Sequence, residues 1–152
     1  MEPIGNRISP TSMSPAESVS DLTGVPATML ITLAAKVLAA TEAPDLQYAA
    51  HRSQEILRQL EIDPRRFNLN AREVRAVVLR SQWFGQTVRR FLERHPDGLC
   101  INLGCGLDPS FEELEAAGDS RFAWVDVDLP EVIAIRRQFF ARVRIGESSR
   151  AT

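Results

Sequence analysis

Lysine is nearly missing from this chain of 152 residues: Lys36 is the only one, and the rest of its 18 basic side chains are arginines. With a net charge of −2 there is no basic stripe, and so no electrostatic case for a nucleic-acid partner. Cysteine is equally scarce. Cys100 and Cys105 are too few and too closely spaced for a disulfide framework or a zinc site, so a reducing cytoplasm is the expected setting. The two histidines, His51 and His95, have no partners at catalytic spacing, and His95 before Pro96 reads as a helix terminator. No basic-then-apolar leader opens the sequence. The most apolar window, residues 25–40, is interrupted by Lys36 and falls short of the roughly 20 residues of a membrane span. What is present is ordinary for a globular protein: 44% hydrophobic and 25% charged residues, in a chain long enough to bury a core.

The chain divides by pattern into four stretches. Residues 1–22, rich in Ser and Pro, read as a flexible arm. Residues 23–97 read as a helical cap. It opens with a turn at Thr23-Gly24-Val25-Pro26, followed by a helix from about Ala27 to Ala40, apolar nearly all round and hence buried. A more polar helix spans about Leu46 to Leu60, and a third starts after Asn70. Asn70 with Glu73 three residues on resembles a capping box. Val74, Val77, Val78, Phe84, Val88, Phe91 and Leu92 recur at helical spacing and predict one buried stripe, with Gly85 marking close packing. Residues 98–145 form an α/β segment, and 146–152 a tail.

That α/β segment carries the chemistry. Leu99-Cys100-Ile101-Asn102-Leu103 reads as an apolar strand, Gly104-Cys105-Gly106-Leu107-Asp108 as a turn, and Pro109 as the opening of a helix. A second strand, Phe122 to Val127, ends in Asp128, and a helix opens at Leu129-Pro130 with Val132, Ile133, Ile135, Phe139 and Phe140 on its apolar face. Val143 and Ile145 could begin a third strand. Two glycines permit a tight turn and close backbone approach to a ligand. An acid 22 residues past Gly106 lies where a parallel neighbouring strand delivers a carboxylate to a ribose diol. The alternative for Asp128 is a helix N-cap, and the two roles are compatible because a carboxylate has several acceptor sites.

The turn is Gly-x-Gly-x-Asp, without the third glycine of nicotinamide-binding folds. Together with Gly24 to Thr28, Leu79-Arg80-Ser81, Val88 to Leu92, Ile101 to Asp108 and Trp124 to Ile133, it resembles the leucine carboxyl methyltransferases and the O-methyltransferases of aromatic polyketide synthesis. The resemblance implies a Rossmann-like α/β fold behind an N-terminal helical cap, and S-adenosylmethionine as cofactor. It implies that Gly104 and Gly106 form the turn beneath the methionine moiety, that Asp128 accepts from the ribose hydroxyls, and that Arg80 pairs with the cofactor carboxylate. Lys36 falls near another basic position of the family, and Pro109 departs from its usual threonine. The implied acceptor is a carboxylate or a small hydroxylated molecule.

Against those roles stand plainer ones. Asp126 reads as a surface acid at the strand end, Asp108 as an N-cap, and Lys36 as a lysine snorkelling at the edge of the cap. Cys105 reads as an apolar filler, and Trp83 and Trp124 as packing residues. Two strands make an incomplete sheet, so the chain reads as truncated after the second strand, with an exposed sheet edge open to self-association. Methyltransferase ancestry therefore competes with a non-catalytic binding module, and more distantly with a nicotinamide-dependent oxidoreductase.

Overall fold

The computed structural model describes residues 25–116 and 121–140. The expected arm, tail and third strand lie outside the described residues. Helix α1 (Val25–Glu42) begins two residues earlier than its periodicity suggests, absorbing Val25 and Pro26, which had been expected in a turn. A 3-10 turn (Pro44–Leu46) follows, then α2 (His51–Gln59), a second 3-10 turn (Pro64–Phe67) and α3 (Ala71–Arg94). The predicted 46–60 helix is shortened at its start. Gln47 adopts the left-handed region (φ 47°), which closes the 3-10 turn and delays α2 to His51.

Helix α3 starts as its sequence requires. The Asn70 side chain accepts from the Arg72 and Glu73 amides, and Glu73 Oε2 accepts from the Asn70 amide at 2.9 Å. His95 occupies its C-cap. Its predicted stripe is buried only in the first half, at Val74 and Val78, where Leu38 and Ala39 of α1 and Ala43 just beyond it pack. Farther along, Leu79, Trp83, Phe84 and Phe91 are exposed, so the expected burial of Phe84 and Phe91 and the packing role of Trp83 fail. Its 24 residues extend about 36 Å, against about 27 Å for the 18 residues of α1. Nothing lies within 4 Å of a side chain built at Gly85, so that glycine marks no close contact.

The α/β segment follows as β1 (Leu99–Leu103), α4 (Ser110–Glu115), β2 (Ala123–Val127) and α5 (Pro130–Phe139). The strands pair in parallel, Leu99 beside Ala123 through Leu103 beside Val127. Side chains alternate, so Cys100, Asn102, Trp124 and Asp126 share one face, and Ile101, Leu103, Val125 and Val127 share the other. The first face is covered. Trp124 is buried among Phe111 of α4 and Phe122, with ring centroids 5.8 and 6.4 Å away. The second is open: Leu99, Ile101, Leu103 and Val127 are exposed. The main core joins Leu30, Leu33, Ile56 and Leu57 of the helical layer to Leu107 and to Val132, Ile135 and Phe139 of α5. Every residue expected on the apolar face of α5 is buried.

Candidate functional site

Parallel register brings the two strand ends side by side. Beyond Leu103 and Val127 the strands separate into the glycine turn and Asp128, and the Val127 carbonyl accepts from the Gly104 and Cys105 amides at 2.8 and 3.3 Å. Gly104 (φ 65°) and Gly106 (φ 48°) both adopt the left-handed region, where a Cβ would clash with the backbone. Their surroundings differ. A Cβ at Gly104 would point into open space, whereas one at Gly106 would stand 3.1 Å from Met29 Cβ of α1. Gly104 thus leaves the turn open toward a ligand, and Gly106 lets the turn sit tightly on the helical layer.

Asp128 belongs to the turn as much as to its own strand. Its Oδ2 accepts from the Gly106 amide at 2.7 Å and its Oδ1 from the Leu129 amide at 2.8 Å. It is not the N-cap of α5, a position held by Leu129. Each oxygen keeps acceptor capacity, and the carboxylate is half-buried, so it can still receive hydroxyl donors. Arg80, the fourth predicted cofactor residue, is exposed on α3 and makes no hydrogen bond to the turn. The structure therefore joins Gly104, Gly106 and Asp128 into one constellation and leaves Arg80 outside it. An exposed, unobstructed Gly104 and a half-buried carboxylate with spare acceptors fit the cofactor implied by the sequence.

Lys36 and Asp126, which the sequence places at the surface, are both buried behind this turn. Lys36 is buried on α1, and its Nζ pairs with Asp108 Oδ1 at the end of the turn. Burial, the largest single influence, lowers the Lys36 pKa; the Asp108 carboxylate, the Tyr48 phenol and Glu113 together outweigh it, and the net direction is upward. Lys36 is therefore not a snorkelling lysine, because its ammonium ends on a carboxylate and not in water. Nor is Asp108 an N-cap: Pro109 holds that position, and Asp108 accepts from Lys36 and from the Ser110 hydroxyl.

Asp126 is likewise not a surface acid. It is 1% exposed, and its carboxylate accepts from Asn102 Nδ2 at 2.9 Å, Trp124 Nε1 at 3.0 Å and Arg136 Nε at 3.1 Å. Arg136 was not singled out from the sequence. Two signals for the pair are nonetheless present. Asp126 is in phase with Trp124 on the covered face, and Arg136 falls in the stripe of Val132 on α5 and Phe140 at its C-cap. Cys105 behaves as expected: it is buried, and burial pushes its thiol up to about 12, which leaves no reactive thiolate at neutral pH.

The family of leucine carboxyl methyltransferases matches residues 30–151, which include all but the first five residues of α1, the glycine turn and Asp128. The chain belongs to that family. The tetracenomycin polyketide synthesis O-methyltransferase TcmP of Streptomyces glaucescens is 32% identical over 119 residues, covering 78% of this chain and 43% of that protein. The S-adenosyl-L-methionine-dependent methyltransferase dpfgK of Gibberella zeae is 30% identical over 125 residues, covering 77% of this chain and 41% of its own length. The chain thus spans less than half the length of these relatives. No solved structure matches. Among the described residues of this family member, no acidic, histidine or cysteine cluster could hold a metal, and no helix is long and apolar enough to cross a membrane.

Proposed function

We propose that this chain carries the cofactor-binding half of an S-adenosylmethionine-dependent O-methyltransferase, acting on a carboxylate or hydroxyl of a small polyketide-like acceptor. The observation that carries the reading is the bond from the Gly106 amide to Asp128 Oδ2, which makes the turn and the acid a single unit. The relatives' names support both the cofactor and the oxygen acceptor.

In this reading Gly104 and Gly106 lie beneath the methionine moiety, Asp128 accepts from the ribose diol, and Arg80 swings onto the cofactor carboxylate. The bound cofactor supplies a methyl already electrophilic on a sulfonium. The chain's own task is then to bind and orient, which favours a preorganised turn. Titration calorimetry with S-adenosylhomocysteine tests this. The expected result is saturable binding, weakened about tenfold or more by Asp128→Ala, the loss of hydrogen bonds to a charged group. Absence of binding to the folded chain would overturn it.

We propose also that the sheet associates with a second copy of the chain through its exposed edge and the open face beside it. Parallel sheets are normally covered on both faces, and here Leu103 is 75% exposed with Ile101 beside it at 57%. Sedimentation should show concentration-dependent dimers that Leu103→Lys abolishes without loss of helicity. A wild-type chain that stays monomeric at high concentration would contradict this.

A further inference from the structure

Arg136 has a role in the candidate site that its place on α5 does not announce. Its side chain is 1% exposed and lies over the Phe140 ring, 4.2 Å from the centroid. Nη1 donates to two turn carbonyls, Gly106 O at 3.0 Å and Asp108 O at 2.9 Å. Nε donates to Asp126 Oδ2, and Nη2 lies 2.9 Å from that same oxygen as an ion pair without hydrogen-bond alignment. Gly106 is consequently fixed on both sides. Its N–H is held by Asp128 and its carbonyl by Arg136, while Met29 of α1 closes the space behind its Cα.

We propose that Arg136 is a positioning residue for the cofactor site. Its guanidinium holds the Gly106 and Asp108 carbonyls so that the turn and the Asp128 carboxylate meet a ligand in one preset arrangement. The proposal rests on the cofactor reading of that turn. A rigid site binds more tightly because less ordering is left to be done on binding. Asp126 serves as the anchor of this device. Its other oxygen is occupied by Asn102 and Trp124, so its lone pairs toward α5 are directed at Arg136 alone among the described residues.

The plainer role for Arg136 is to neutralise a buried carboxylate, and chemistry separates the two. Lysine preserves the charge but lacks the planar fork that reaches two carbonyls and a carboxylate together. Three quantities should be measured on wild type, Arg136→Lys and Trp124→Phe: affinity for S-adenosylhomocysteine by calorimetry, hydrogen exchange of the Gly106 amide, and the urea midpoint. Trp124→Phe weakens the same Asp126 network without touching the turn, and so controls for stability. The expected result is that Arg136→Lys lowers affinity about tenfold, at the lower end of what a lost supporting bond costs a binding group, and speeds Gly106 exchange. Trp124→Phe should lower the urea midpoint while leaving affinity and Gly106 protection at wild-type values. Arg136→Lys with wild-type affinity and exchange would overturn the proposal, as would losses in both variants that merely track stability. If wild type fails to bind while Arg136→Lys still accelerates Gly106 exchange, the cofactor reading fails and the hold on the turn stands. If neither is seen, both fail.

Discussion

Replacing Asp126 by Ala should cost about 3–5 kcal/mol, the usual penalty for removing one partner of a buried ion pair. Three donors lose their acceptor at once: the Asn102 amide, the Trp124 indole and the Arg136 guanidinium. The last is the expensive one, because Arg136 is 1% exposed and its charge would be left without a counter-ion. Against a typical total of about 5–15 kcal/mol, such a loss brings the chain close to unfolding at room temperature. Urea denaturation followed by far-ultraviolet circular dichroism would register it as a sharp fall in the midpoint. The double variant Asp126→Leu, Arg136→Met should recover much of the loss, since apolar pairs of similar volume often replace buried ion pairs without penalty. Were Asp126 the surface acid that its strand-end position suggests, Ala would change stability by no more than about 0.5 kcal/mol.

Lys36→Ala should be the next most damaging change, at about 2–3 kcal/mol. That is below the fully buried case because the Asp108 side chain, 33% exposed, can be hydrated when its partner is gone. The same pair carries a pH signature. The folded state raises the Lys36 pKa above its ordinary value of 10.5, so between that value and the raised one the native chain binds more protons than the unfolded chain. The stabilisation is therefore complete below about pH 10.5 and is lost as pH climbs through the folded-state pKa. Tyr48, whose phenol is raised chiefly by burial, pushes in the same direction from its ordinary 10.0. Lys36→Met removes the lysine's own proton, and with it the charge that lowers the Tyr48 pKa, leaving one group to titrate in place of two. Its stability should decline less steeply than wild type over this alkaline range, and equal slopes would show that the Lys36 proton is not coupled to folding.

What could be read from the sequence, and what could not, follows physical lines. The strand–turn–helix order was legible because each piece is local. Leu99 to Leu103 is a short apolar run, two glycines follow, and Pro130 opens a helix with an apolar stripe that is indeed buried. The cap of α3 was legible for the same reason, since Asn70 and Glu73 interact within one turn. The buried charges were not. Lys36 and Asp108 are 72 residues apart, and nothing local indicates that one ends on the other. A lone lysine in an apolar helix suggests snorkelling unless its partner is known. Asp126 and Arg136 are closer in sequence but belong to a strand and a helix, and only the packing of α5 on the covered face makes them meet. The stripe on α3 misled in the other direction. Helical spacing reports which side chains share a face, and Phe84 and Phe91 do, yet spacing cannot say whether another element covers that face.

The turn-and-acid constellation proposed for the cofactor lies between these extremes. Gly104, Gly106 and Asp128 were legible as a turn and a strand-end acid, and their direct bond depends only on the parallel register of two adjacent strands. Arg80 depended on resemblance alone, and no hydrogen bond in the structure draws it to the turn.

The most direct test of the account is the titration with S-adenosylhomocysteine followed through the backbone amide resonances of Gly104, Cys105, Gly106 and Leu129, with oxidised nicotinamide adenine dinucleotide as the comparison ligand. The account predicts saturable shifts at these four amides with the first ligand, and none with the second. Shifts with the dinucleotide alone, or no change at these amides in a folded chain, would contradict it.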